Sequence, residues 1–406
     1  MELKQFYIDK LVEYCKISTG SIEANDSIPT TKCQFDLAYL LQKQLVDLGL
    51  EDVHVDDKCF VYAYLNKQNT KSRVVLLAHM DTTEAALNVD VKPIVHNFNG
   101  GDIILPNTTI SKQDLFDIKP GQTVITSDGS TLLGADDKAG IAIIMTLLKL
   151  LKESKIADLP SICICFTPDE ETGKGVSSVS MEKLTSGIQN SFGITVDGCR
   201  RHEIENETFN AFKFKIEVKG FNIHPGEAYH KMCNSLMYAA DLCGKINQKF
   251  TPPWESQKRD DYVYITDMKG DTNFTVIEGI VRSFGDTLSL TKQLEQFVKQ
   301  FEGEQQTYSD LFKINFNYQF QYPNMKEKIP EELIEKLGKL GQKFNAKWTP
   351  IRGGTDGSRL TLNGLPTPNI WTGSEKIHSI QEYNVVEEAL EAVQYLLDIL
   401  QNETSM

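Results

Sequence analysis

The sequence holds no CxxC pair, no apolar run long enough to cross a bilayer and no excess of basic charge. Each absence removes a class of function. Lys and Arg number 42 against 56 Asp and Glu, a formal charge of −14, whereas a nucleic-acid binder presents a basic face. The opening stretch MELKQFYIDKLVEYC carries charges throughout and no apolar core, so neither a signal peptide nor a membrane anchor is expected. The eight cysteines, Cys15, Cys33, Cys59, Cys163, Cys165, Cys199, Cys233 and Cys243, are scattered, which predicts free thiols in a reducing cytoplasm. Cys163 and Cys165 alternate along one strand-like run and read as small core hydrophobes. Sequons such as Asn107-Thr108-Thr109 are chance matches without a secretory route. No internal repeat or low-complexity tract stands out. Gly353-Gly354 is not a phosphate loop, since no GK[ST] follows it.

What is present fits a two-domain globular protein. The chain has 406 residues, 40% of them hydrophobic and 24% charged, which is long for one core. Residues 2–16 and 35–48 have helical periodicity, and so does the apolar stretch from Lys138 to Leu151. CFVYAYL, RVVLLAH, SICICFTP and FGITVDG read as strands. Such alternation predicts an α/β fold, with a mostly parallel sheet between helices. The pattern changes near residue 210. AFKFKIEVKG alternates strictly, DYVYITDMKGDTNFTVIEGIVRSF suggests two antiparallel strands, Leu288 to Gly303 a helix and KINFNYQF a further strand. Helix and strand patterns then resume, ending in VVEEALEAVQYLLDILQ. The expected organisation is one discontinuous domain over 1–209 and 321–406, with an α+β domain inserted over 210–320.

Five strand-like segments deliver metal-competent side chains. RVVLLAH ends in His79, with Asp81 two residues on. LLGADDKAG places Asp136 and Asp137 before a helix. SICICFTP runs into Asp169, Glu170 and Glu171, FGITVDG ends at Asp197-Gly198, and IWTGSEKIHSI carries His378. In a parallel sheet such exits share one edge, where ligands bind. Each string alone is ordinary: ADDKAG also suits a helix N-cap, Asp197-Gly198 a turn, and three adjacent acids a solvated loop. Their ordered conjunction is not ordinary. Two histidines and three carboxylates form a mixed nitrogen and oxygen set suited to zinc, manganese or cobalt. Two dications would also make the crowded acids tolerable, and an acid left over beside them can act as a general base.

The strings LLAHMDT, LLGADDKAG, FTPDEETGKG, TVDG, NIHPG, PIRGGTDGSRL and GLPTPNIWTG span nearly the whole chain. Together they resemble the peptidase T family of aminotripeptidases, within the co-catalytic zinc peptidases and deacylases. That resemblance implies a zinc-peptidase-like catalytic domain and gives the inserted domain the role of lid and dimerisation surface. It implies that His79 and Asp197 bind one metal ion, that Glu171 and His378 bind the other, and that Asp136 bridges them across a cis Asp136–Asp137 bond. Glu170 becomes the general base and Asp81 the residue that orients the His79 imidazole. His224 is implied to reach into the active site of the partner subunit and stabilise the oxyanion. Arg282 and Arg352, and more weakly Asn273, are implied to bind substrate, since a planar guanidinium suits a peptide's terminal carboxylate. His54, His96, His202 and His230 fall outside the matched positions and receive no role.

The implied cofactor is two Zn²⁺ per subunit, with Mn²⁺ or Co²⁺ as alternatives. The implied reaction is release of the N-terminal residue from tripeptides by a metal-bridged hydroxide, in a cytoplasmic homodimer. A dipeptidase or an N-acyl-amino-acid deacylase on the same scaffold is the alternative enzyme. A metal-stabilised binding protein without catalysis is the alternative of another class, and Glu170 argues against it. Three positions depart from or discriminate within the family pattern. Ser379 follows the last ligand histidine where Gly is common, and Ser283-Phe284-Gly285 follows Arg282 where Asp is common. Both bear on substrate preference. Asp at 197, where relatives acting on N-acylated substrates commonly have Glu, leans towards peptides with a free amino group.

Overall fold

A computed structural model of the chain describes residues 2–154, 156, 158–198, 202–305 and 311–403; Cys199 lies outside them. The chain divides into two compact units. The first comprises Met1–Asn206, Lys328–Thr349 and Gly354–Met406, and the second Glu207–Glu327 with Pro350–Gly353.

The first unit is built on a mixed sheet. Among the described residues its strand order is Glu51–Val55, Val61–Leu65, Ser161–Thr167, Arg73–His79, Ser191–Gly198, Asn369–Trp371, Glu203–Glu207 and Lys347–Pro350. The four strands from Ser161–Thr167 to Asn369–Trp371 run parallel, and antiparallel partners flank them. RVVLLAH and SICICFT are buried at every position, as expected for strands covered on both faces. The helix Ala135–Ser154 packs on this sheet and is buried along most of its length. Gly140 permits that approach, because a Cβ there would stand 1.9 Å from the carbonyl oxygen of Val196. Among the described residues, no helix is long and apolar enough to cross a membrane.

A second, smaller antiparallel sheet belongs to the same unit. It joins Ser374–Glu375, Tyr383–Val385, Thr123–Thr126 and Ile94–Asn97. Its strands are two to four residues long, too short for periodicity to reveal. This sheet corrects one expectation. Only His79, the Asp169–Glu171 run and Asp197 follow or end strands of the parallel core. Asp136 lies ten positions past Thr123–Thr126, and His378 three past Ser374–Glu375, both strands of the small sheet. Two sheets therefore supply the centre, and the parallel edge alone does not.

The second unit is a four-stranded antiparallel sheet in the order Tyr262–Gly270, Phe274–Ser283, Asn210–Lys219, Lys313–Tyr322. The helices Ser235–Lys249 and Thr287–Gln305 bury Leu242, Ile246, Leu294 and Val298 against Phe214, Ile216 and Ile277 of the sheet. The alternating strand AFKFKIEVK thus turns Phe214, Ile216 and Val218 inward and its lysines outward.

Candidate metal centre

The metal-competent side chains of the first unit converge. His79, Asp136 and Asp197 each offer one ligand atom within 4.8 Å of the others, and so do Asp136, Glu171 and His378. Asp136 belongs to both groups. Its Oδ1 is 2.9 Å from His79 Nε2, and its Oδ2 is 3.1 Å from His378 Nε2. Asp197 Oδ1 is 3.5 Å from His79 Nε2.

Local structure aims each group. His79 Nδ1 donates to the carbonyl oxygen of Asp81 at 3.1 Å. A carbonyl can only accept, so the proton sits on Nδ1 and Nε2 is the atom presented to the acids. The Asp81 carboxylate lies 3.4 Å from that same Nδ1 and has backbone partners as well. It accepts the backbone N–H of Glu170 at 2.9 Å and of Glu171 at 3.2 Å. Asp81 is completely buried and ties the acidic turn to the strand that ends in His79. The Asp136–Asp137 bond is cis, the form the family resemblance implied. Asp137 turns inward and accepts the N–H of His79 and of Gly140.

The three consecutive acids that follow SICICFT have three different situations. Asp169, at φ +56°, is buried and accepts from the Thr30 N–H and hydroxyl and from Gln34 Nε2. Glu170 is half-buried, with burial and then the charge of Asp197 holding its carboxyl well above the usual carboxylate range. Glu171 lies with Asp136 and His378. His378 Nε2 stands 3.0 Å from Glu171 Oε1, yet the angle makes no hydrogen bond, and Oε1 is a buried oxygen without such a partner among the described residues.

The electrostatics fit bound cations. Burial raises Glu171, and burial with the charge of Asp197 raises Asp137 well above its ordinary value. Burial pushes Asp197 up to about 7 against the pull of His79. The histidines are raised too, but by the neighbouring acids rather than by burial. Burial opposes the charge on His79, but Asp197 and Asp136 outweigh it and raise that imidazole. Hydrogen bonding to Asp136 and the neighbouring Glu171 push His378 up to about 10. A cluster this rich in carboxylates, with a buried Glu171 oxygen that lacks a hydrogen-bond partner among the described residues, a buried His79 and an exposed His378, has the donor chemistry of a zinc, manganese or cobalt pair.

The remaining residues singled out in the sequence lie in the second unit. His224 is exposed, and its Nδ1 accepts the N–H of Gly226. Asn273 is exposed in the turn after Asp271. Arg282 is buried beside Tyr322 and donates through Nη1 to the carbonyls of Phe212 and Val281. Arg352 stacks on Phe209 and Tyr262, and its donors reach the carbonyls of Lys258 and Asp260 and the Ser256 hydroxyl. Both arginines thus make bonds within their own unit.

Sequence reasoning missed two buried acids. Asp356, inside the quoted string PIRGGTDG, accepts from the Thr167 hydroxyl and the Val176 N–H, closing the two ends of the acidic loop. Glu382, in IHSIQEY, accepts backbone N–H groups leading to Asp136. The available signal was position: Asp356 lies within PIRGGTDGSRL and Glu382 two residues past IWTGSEKIHSI.

Residues 127–402 match the family model described as Peptidase family M20/M25/M40. The chain is 37% identical over 413 residues to Peptidase T of Alkaliphilus oremlandii (strain OhILAs), covering 97% of this chain and 98% of the relative. It is 36% identical over 414 residues to Peptidase T of Desulfitobacterium hafniense (strain DSM 10664 / DCB-2), covering 98% and 99%. Its fold is similar to that of a tripeptidase from Staphylococcus aureus subsp. aureus Mu50, with a TM-score of 0.76, 21% identity and 99% of each chain covered. The family match spans Asp136, Glu171, Asp197 and His378, and the relatives extend it over the His79 strand, so this chain belongs to peptidase family M20/M25/M40.

Proposed function

We propose that this chain is a metal-dependent aminopeptidase that releases the N-terminal residue from tripeptides, with two zinc ions per subunit. The observation that carries the reading is the shared Asp136, which places one carboxylate in both three-donor groups. The substrate class is supported by relatives named Peptidase T and by the fold's likeness to a tripeptidase. His79 and Asp197 would hold one ion and Glu171 and His378 the other, with Asp136 available to both. Bound divalent ions supply Lewis acidity to the scissile carbonyl and to the attacking water. Glu170 takes the proton of that water and returns it to the departing amine. Asp81 keeps Glu170 in place through the backbone N–H it accepts. Arg282 and Arg352 are assigned to the peptide's carboxylate end, Asn273 to substrate binding more generally, and the partner's His224 to the oxyanion, in a cytoplasmic homodimer formed through the second unit. The test is a panel of di-, tri- and tetrapeptides and N-acyl amino acids, assayed after chelation and after zinc is restored. Zinc-dependent cleavage confined to tripeptides is expected. Preference for dipeptides or acylated amino acids would move the assignment to the alternative enzymes.

The raised imidazoles give a pH dependence of definite sign. Without metal, His79 and His378 are protonated at pH 7, whereas a metal ligand must be neutral. Zinc uptake at pH 7 is therefore expected to release about two protons from the imidazoles and a further fraction from Asp197, and affinity to rise with pH. Calorimetry in two buffers of different ionisation enthalpy measures that release; equal heats in both would contradict it. The metal-free fold behaves oppositely. A histidine raised above its unfolded pKa of about 6.5 contributes its full stabilisation below that value. The His378 contribution fades as pH climbs through about 10.

A further inference from the structure

We infer that Glu382 is a positioning residue for the metal centre, a fixed anion that sets the backbone from which Asp136 reaches both metal positions. The inference deepens the proposed function and rests on the dinuclear reading. Glu382 is 1% exposed. Its Oε2 accepts the N–H of Leu133 and of Gly134, both at 2.8 Å, and its Oε1 accepts the N–H of Asp136 at 2.9 Å. Successive backbone N–H groups turned to one point make an anion cradle, and here the anion is the protein's own. Gly134 adopts φ +79°, a conformation that glycine reaches without penalty, and this turns its N–H beside that of Leu133.

The anchor is itself rigid. Glu382 donates its own N–H to the Ser379 carbonyl at 3.2 Å. The next residue opens the strand Tyr383–Val385, which pairs with Thr123–Thr126. Thus one short turn carries both His378 and the carboxylate that holds Asp136, although the two ligands stand far apart in sequence. Charge-assisted bonds to a buried carboxylate are stronger than neutral ones, and all three terminate on the segment ending in Asp136. None is made to a ligand atom, so the cradle does not need the ions in order to form. A shift of this segment would move the one carboxylate common to both donor groups and degrade both sites together.

The test uses full-length Glu382→Gln and Glu382→Ala proteins with zinc as the probe. In the glutamine variant the NH₂ end faces N–H groups and cannot accept from them. Zinc affinity, read by competition with a chromogenic chelator, is expected to fall about 10–100-fold, the usual cost of losing an outer partner. The kcat at saturating zinc should fall while KM for a tripeptide changes little. A purely structural role would lower the melting temperature and leave zinc affinity and saturated kcat at parent values; that result overturns the inference. Hydrogen exchange on the unmutated protein decides the matter even if both variants fail to fold. The peptide covering 131–137 should be protected without zinc as well as with it, whereas protection that appears only on zinc loading would also overturn the inference. A parent protein that binds no zinc would instead remove the dinuclear reading beneath it.

Discussion

Replacing Glu170 with alanine should lower kcat for tripeptide hydrolysis by about 10²–10⁴-fold, the range that a positioned general acid–base supplies, while zinc content stays at the parent level. Both halves follow from geometry. Glu170 contributes to neither three-donor group, so its loss leaves the ligands intact. Its backbone is fixed by the buried Asp81 carboxylate, and its neighbour Glu171 belongs to one of the three-donor groups. Without metal, burial and Asp197 favour a proton on it; to act as a base it must first lose that proton, which cations bound beside it would favour. Glu170→Gln keeps the volume and removes the basicity, and should be as inactive as alanine. Turnover within a few-fold of the parent in either variant would remove Glu170 from the mechanism.

The second large effect concerns Asp136. Alanine there deletes the oxygen facing His79 and the oxygen facing His378 at once. Binding of both ions should weaken by more than the roughly 10–100-fold that an outer partner costs, and tripeptide cleavage should fall below detection. The neighbouring ligands provide the contrast. Asp197→Ala and Glu171→Ala each remove a donor from one group only, so each should retain about one zinc per chain, in line with the need of each ion for its own donors. Elemental analysis after gel filtration separates these outcomes. One zinc retained in Asp136→Ala would mean that the two groups do not share that carboxylate.

How far the sequence carried these conclusions depended on the kind of signal. Long periodic segments were legible. Lys138 to Leu151 fell within the helix Ala135–Ser154, and the alternation of AFKFKIEVK matched the strand Asn210–Lys219. All five candidate ligands were nameable because their strings, each ordinary alone, occur together and in order along one chain. The small sheet was not legible, since two- to four-residue strands carry no period. With it went the knowledge that Asp136 and His378 follow a different sheet from His79 and Asp197. The roles of supporting acids were likewise hidden. Asp81 was expected to serve His79 and does lie beside its Nδ1, but that its carboxylate also holds the backbone of Glu170 and Glu171 was not foreseen. Asp169, Asp356 and Glu382 bind backbone or hydroxyl groups remote in sequence, a pairing that no spacing rule encodes. Residue chemistry is local and can be read from a string, whereas the destination of a buried carboxylate is tertiary.

The most direct measurement titrates zinc into chelator-treated protein while following both bound metal and tripeptide turnover. Turnover should begin near zero, rise with bound zinc and level off at two ions per chain. A metal-free chain that cleaves tripeptides at the full rate, or one that takes up no zinc at all, would contradict a centre built on His79, Asp136, Glu171, Asp197 and His378.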